Sequence, residues 1–241
     1  MKTGFRTIDR VLLMLTTLVM LFVASPIHAL PVPANTADTP VAEKAKLLGG
    51  DVIVSLASLD EGVTGVTGYI YIAAPPEKVW EVITDYDNHK NFVPNVLDSG
   101  IISDNGNEKV MFEKGKSGLF LFSKKVYTKM RVWGERSRHL YFQQIEGDFK
   151  VYRGEWILSE HLQGKGTFLT YRAEVKPDFF APGFAVKNVQ ERDCPRMMVA
   201  MKKQAEASLL QDQKRASMLQ EEKKSVPVTG SEKVRTGHSQ T

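Results

Sequence analysis

The sequence predicts an α+β domain: an antiparallel sheet of about six to seven strands, two short helices, and one long C-terminal helix. Three observations carry this. Tyr69 to Pro94 reads as a strand that runs straight into two short helices. From Val96 to Pro177, alternating segments follow one another across short polar turns, the pattern of an antiparallel meander. Cys194, Met197, Met198, Met201, Ala205 and Leu209 then recur near helical spacing.

Residues 1–29 lie outside the fold in this reading. Lys2, Arg6 and Arg10 precede an apolar run from Val11 to Ala24, and Ala29 marks a cleavage point. The run is shorter than the ~20 residues a spanning helix needs, so it reads as a cleavable secretory signal peptide that sends the protein to the periplasm or medium. An uncleaved anchor is the alternative. Residues 30–49 form a linker with a short helix over Val41 to Leu48, ended by Gly49 and Gly50. The domain spans residues 50–210, and residues 211–241 form a charged tail, in which Lys214 to Lys224 reads as frayed helix and Ser225 to Thr241 as disordered.

Within the domain, Asp51 to Leu59 and Val63 to Ala73 make a hairpin around Asp60-Glu61-Gly62. Pro75 and Pro76 stop the second strand and preset the first turn of a helix whose face is Val79, Trp80, Val82 and Ile83. Asp85 is placed as the N-cap of a second helix over Tyr86 to Asn91, ended by Pro94. The later strands are Val96 to Ser103, Lys109 to Lys114, Leu119 to Gly134 with a bulge near Ser123-Lys124, His139 to Glu146, Val151 to Glu160 and Thr167 to Pro177, with Gly115 to Gly118 as a connection. Alternation puts Thr167, Leu169, Tyr171, Ala173 and Val175 on one face, Tyr152, Gly154, Trp156 and Leu158 on one, and Thr128, Met130 and Val132 on one. These apolar sets point inward, and the charged sets opposite them form a solvated face.

Composition excludes several classes. The formal net charge is +4, but the leader carries three of the 32 basic and one of the 28 acidic residues, so the mature chain is only about +2. That is no case for nucleic acid. Cys194 is the single cysteine, which excludes an internal disulfide and a thiolate metal site. No H-E-x-x-H, G-x-S-x-G or phosphate-cradling glycine loop is present. No catalytic residue, cofactor or metal is assigned.

The order of these parts, with Ala74-Pro75, Val79-Trp80, Thr84-Asp85-Tyr86, Phe92, Pro94-Asn95-Val96, Gly147-Asp148-Phe149, Gly154 to Trp156, Leu169-Thr170-Tyr171 and Pro177, resembles the START-like (SRPBCC) superfamily. The best match within it is the polyketide cyclase/dehydrase and coenzyme Q-binding family, over roughly residues 50 to 210. The resemblance implies a helix-grip fold, in which a curved sheet holds the long helix over an apolar cavity, and a ligand such as a lipid, quinone or polyketide. The motifs are mostly architectural, so they speak to fold more than to activity.

On that reading the cavity is lined by Trp80, Phe112, Tyr141, Trp156, Tyr171, Phe180, Met197, Met198 and Met201, with Tyr141 and Tyr171 as candidates for an inward hydroxyl. The loop Phe179 to Phe184 is a candidate gate. His89 and Asp85 lie four residues apart and admit a base with its orienter, but an N-cap plus an exposed histidine is favoured. His139 and His161 fall at strand ends and read as solvated. Lys129, Arg131, Glu155 and Glu174 read as outer-face ion pairs rather than a buried cluster. The expected protein is an exported, monomeric binder or carrier of a hydrophobic small molecule, with transient membrane contact allowed. A cyclase/aromatase-type enzyme acting in the same cavity is the alternative. A module docking on a partner or membrane through its charged tail is a third.

Overall fold

The computed structural model describes residues 41–119 and 122–225, so the leader and the last sixteen residues of the tail lie outside it. Among the described residues there are eight strands: β1 (Val52–Ser58), β2 (Thr64–Ile72), β3 (Val96–Asp104), β4 (Glu108–Leu119), β5 (Phe122–Glu135), β6 (His139–Gly147), β7 (Phe149–His161) and β8 (Gly166–Pro177). The helices are α1 (Val41–Leu48), α2 (Pro76–Ile83), α3 (His89–Phe92) and α4 (Gly183–Ser225), with a 3-10 turn at Asp60–Gly62. All strands pair antiparallel in one sheet, in the order β1-β2-β8-β7-β6-β5-β4-β3. The pair α2–α3 therefore carries the chain from β2 to the opposite edge, and the meander returns strand by strand until β8 closes on β2.

The expected six to seven strands undercount this sheet. The edge strand β1, read as the first arm of the hairpin, pairs with β2 from Val52↔Ile70 to Ser58↔Thr64, so the segments read one by one as strands already number the eight seen. Gly115 to Gly118 belong to the ladder rather than to a connection. The β4–β5 register runs unbroken from Glu108↔Trp133 to Leu119↔Phe122, and no bulge falls at Ser123-Lys124. Backbone pairing overrides the poor strand propensity of that Gly- and Lys-rich segment.

The buried faces are the ones alternation selects. In β2, Val66, Ile70 and Ile72 point inward, and in β8 Leu169, Tyr171, Ala173 and Val175 do. Cross-strand neighbours such as Ile70↔Leu169 and Val66↔Ala173 build the floor under the long helix. α2 begins as expected, with Pro76 at its first positions and Val79, Val82 and Ile83 buried.

Gly68 explains how close α4 can come. A Cβ there would lie 2.5 Å from Met198 Sδ and 3.0 Å from Cys194 Sγ, so only glycine lets the helix seat on β2. Polar ties fix its position along the strand. Ala73 N–H donates to Glu206 Oε1 at 2.8 Å, and Lys202 Nζ donates to the Tyr71 carbonyl at 2.8 Å. Further along, Lys78 of α2 pairs with Asp212 at 2.6 Å.

Two boundaries differ from expectation. The second short helix starts at His89, not Tyr86, and Asp85 does not cap it: the Asp85 carboxylate accepts from Asn88 Nδ2 at 2.9 and 3.0 Å. The domain limit at residue 210 falls short: α4 runs on to Ser225, taking in the Lys214 to Lys224 run read as frayed helix. Its Gln, Lys, Arg, Glu, Ala, Met and Leu residues are good helix formers, and the packed portion supplies the nucleus they extend. Among the described residues no helix is long and apolar enough to cross a membrane.

Candidate functional site

The sheet, α2–α3 and α4 do not fill the space between them. A cavity of about 200 Å³ remains, bounded by Met111 and Glu113 of β4, Met130 and Val132 of β5, Leu140 and Phe142 of β6, Tyr152 and Trp156 of β7, and Tyr171 of β8. Ile83, Tyr86, His89 and Val93 close it from the short helices, and Gln190, Asp193, Cys194, Met197 and Met201 close it from α4. A mostly apolar concavity with a few polar atoms is the usual form of a small-molecule site.

Four of the nine residues expected in the lining are there: Trp156, Tyr171, Met197 and Met201. The other five stand elsewhere. Trp80 is half-buried and packs against the core from outside the cavity. Met198 is fully buried, but it faces Gly68 rather than the cavity. Phe112 sits on the opposite face of β4 from Met111 and Glu113, with the Lys114 ammonium 5.3 Å from its ring. Tyr141 likewise faces outward, stacked on His139 at 4.2 Å and on Trp133 at 5.7 Å. Phe180 is 95 % exposed, and its neighbour Phe179 is covered by Lys124 at 3.8 Å.

The outer-face ion pairs form as expected, with specific partners. Lys129 meets Glu146 at 3.3 Å, Arg153 meets Glu174 at 2.7 Å, and Arg172 meets Glu155 at 3.2 Å. His139 is not fully solvated: its Nε2 lies 2.6 Å from Glu155. His161 is half-buried against Tyr71 and Phe168.

His89 departs most from its expected place. It is 5 % exposed, lines the cavity, and holds Glu113 Oε1 through Nδ1 at 2.8 Å. Its orienter is therefore Glu113 on β4, not Asp85 in its own turn. Local bonds fix the ring's backbone: Val93 N–H donates to the His89 carbonyl at 2.8 Å, Lys90 N–H to Ser99 Oγ at 3.0 Å, and Ile101 N–H to Asp87 Oδ1 at 3.0 Å. These ties anchor α3 to β3, whose neighbour β4 presents Glu113. The sequence signal lay in β4 alternation, which puts Glu113 on the same face as Met111, but the two partners lie 24 residues apart with no fixed spacing between them.

Protonation in the cavity is set by burial. Loss of water pushes the Cys194 thiol up to about 12, so it stays a thiol and not a nucleophile. Tyr152 is half-buried as a residue, but its hydroxyl is inside, bonded with that of Tyr171; burial and then Glu113 push it to about 12. Burial holds Tyr171 well above the usual phenol range, and burial with the nearby Glu113 charge raises Tyr86 as well. Among the described residues no cluster of His, Cys, Asp and Glu could hold a metal ion.

Comparison with known proteins agrees with this geometry. Residues 72–202, more than half of the chain, match the family described as polyketide cyclase / dehydrase and lipid transport. No curated protein matches the sequence. Among solved structures, the Zhui aromatase/cyclase from Streptomyces sp. R1128 is similar with a TM-score of 0.54 and 18% identity, over 61% of this chain and 96% of that one. Human STARD10 gives a TM-score of 0.53 at 16% identity over 78% and 88%. A START superfamily protein from Mycobacterium smegmatis gives 0.51 at 14% over 59% and 97%. With the sheet, the gripped helix and the matched stretch in agreement, the chain has the fold of the START superfamily structure and belongs to the polyketide cyclase/dehydrase and lipid transport family.

Proposed function

We propose that this protein is an exported binder or carrier of a small hydrophobic molecule held between α4 and the sheet. The observation that carries the reading is the cavity of about 200 Å³ with its walls of Ile, Val, Leu, Met and Phe. The family's lipid transport description supports it. Ligand pockets commonly run ~300–1,000 Å³, so the cavity favours a compact ligand, a quinone- or polyketide-like ring system or one short chain, over a whole diacyl lipid. Export rests on the basic and apolar leader of residues 1–29.

Native mass spectrometry of protein isolated from its own host tests this. A bound hydrophobe is expected, and it should be lost in Val132→Trp, where an indole fills the cavity and circular dichroism confirms the fold. A mass equal to that of the bare chain in every preparation would count against a carrier.

A second reading, a cyclase-type enzyme, has one specific observation in its favour. His89 held by Glu113 is a ring nitrogen with an orienting carboxylate in the cavity wall, the arrangement a general base needs. Conversion of a supplied polyketide-like precursor, abolished by His89→Ala, would establish it.

A further inference from the structure

Two polar atoms in the cavity wall have no protein partner. His89 uses Nδ1 on Glu113, while its Nε2 is fully buried and unpaired. Tyr86, 4 % exposed, buries a hydroxyl that is also unpaired. Their rings meet edge to face at 5.3 Å, and both residues line the cavity. Among the described residues the other buried side-chain atoms without a hydrogen-bond partner belong to Thr128, Arg131, Ser137 and Gln144, none of which lines it. A buried polar group left unpaired is costly. Two such groups side by side on the wall of a cavity point to what enters it.

Their donor and acceptor capacities restrict the answer. When the ring is neutral and its Nδ1–H donates to the Glu113 carboxylate, Nε2 is an acceptor. Tyr86 keeps its proton and can donate. An oxygen that satisfies both must accept from the tyrosine and donate to the histidine. A hydroxyl does this. A ketone or ether oxygen cannot donate, and a carboxylate would bring a second anion beside Glu113.

We propose that Tyr86 and His89, the latter oriented by Glu113, form a hydroxyl-recognition site that selects a phenol- or enol-bearing hydrophobe over its non-hydroxylated analogue. The inference rests on the cavity-binding reading given above and names the ligand class that reading leaves open. An apolar cavity of ~150 Å³ is enough for benzene, so the present cavity suits one or two fused rings.

Isothermal titration calorimetry with β-naphthol and its isosteric methyl analogue, β-methylnaphthalene, tests the site on the full chain. The wild type should bind the naphthol at least about tenfold more tightly, because a site built to pair a hydroxyl rejects an analogue without one. In Tyr86→Phe and in His89→Phe the preference should fall to within about threefold, while affinity for the methyl probe holds. If His89→Phe fails to fold, Tyr86→Phe carries the comparison, with its melting curve as the check. Equal binding of the two probes by the wild type, or a preference that survives Tyr86→Phe, overturns the hydroxyl site and leaves the cavity reading standing. Binding of neither probe removes both.

Discussion

Above about pH 10 this protein should lose its fold cooperatively, well before its arginines lose their charge. Four acidic O–H and S–H groups are buried in or beside the cavity: Tyr86, Tyr152, Tyr171 and Cys194. Each is pushed upward, mainly by loss of water. The native state therefore keeps protons that the unfolded chain releases near 9 for the thiol and near 10 for the phenols. Their stabilising protonation is fully present below those values and is lost as pH rises toward the folded ones, about 12 for Cys194 and Tyr152. Each group costs ~1.4 kcal/mol per pH unit within that window. By pH 11 the combined loss is comparable with a whole domain stability of ~5–15 kcal/mol. Tyrosinate absorbance should rise in the same transition as the loss of far-ultraviolet dichroism. A rise to the full amplitude of all seven phenols with the fold intact would mean that the three buried ones are reached by solvent.

The second large effect separates two methionines three residues apart. Met198 is fully buried against Gly68 and does not line the cavity, so Met198→Ala should cost ~2–5 kcal/mol. Met201 is buried too but borders the cavity. Its side chain has partners on fewer sides, so Met201→Ala should sit at or below the lower end of that range. It should also enlarge the cavity and admit bulkier ligands. Urea melts of the two variants and of the wild type provide the comparison. Equal losses would show that Met201 is ordinary core.

Much of this fold could be read from alternation and breakers. Pro75-Pro76, the inward sets of β7 and β8 and the apolar stripe of α4 each follow from local periodicity, and each stands where that periodicity puts it. The cavity lining was harder, because residue type and residue phase disagree. Phe112 and Tyr141 are aromatic, but their strands turn Met111, Leu140 and Phe142 inward instead. Met197 and Met198 differ by a rotation of about 100° around the helix, and only the seat on Gly68 decides which one faces the void. The His89–Glu113 pair was invisible for another reason. It joins a short helix to a strand across β3, and no spacing within the sequence encodes that distance.

The pairing of β2 with β8 has a consequence for how the molecule is made. Thr64↔Val175 and Ile72↔Thr167 stitch the first strands to the last one, across roughly a hundred intervening residues. Until that final strand has paired, both β2 and β7 present an open edge, and the floor for the long helix is missing. Closure of so distant a seam is entropically slow. Nearly the whole domain must thus be present before the hollow exists, and any chaperone that guards the unfolded chain has to cover two raw borders at once.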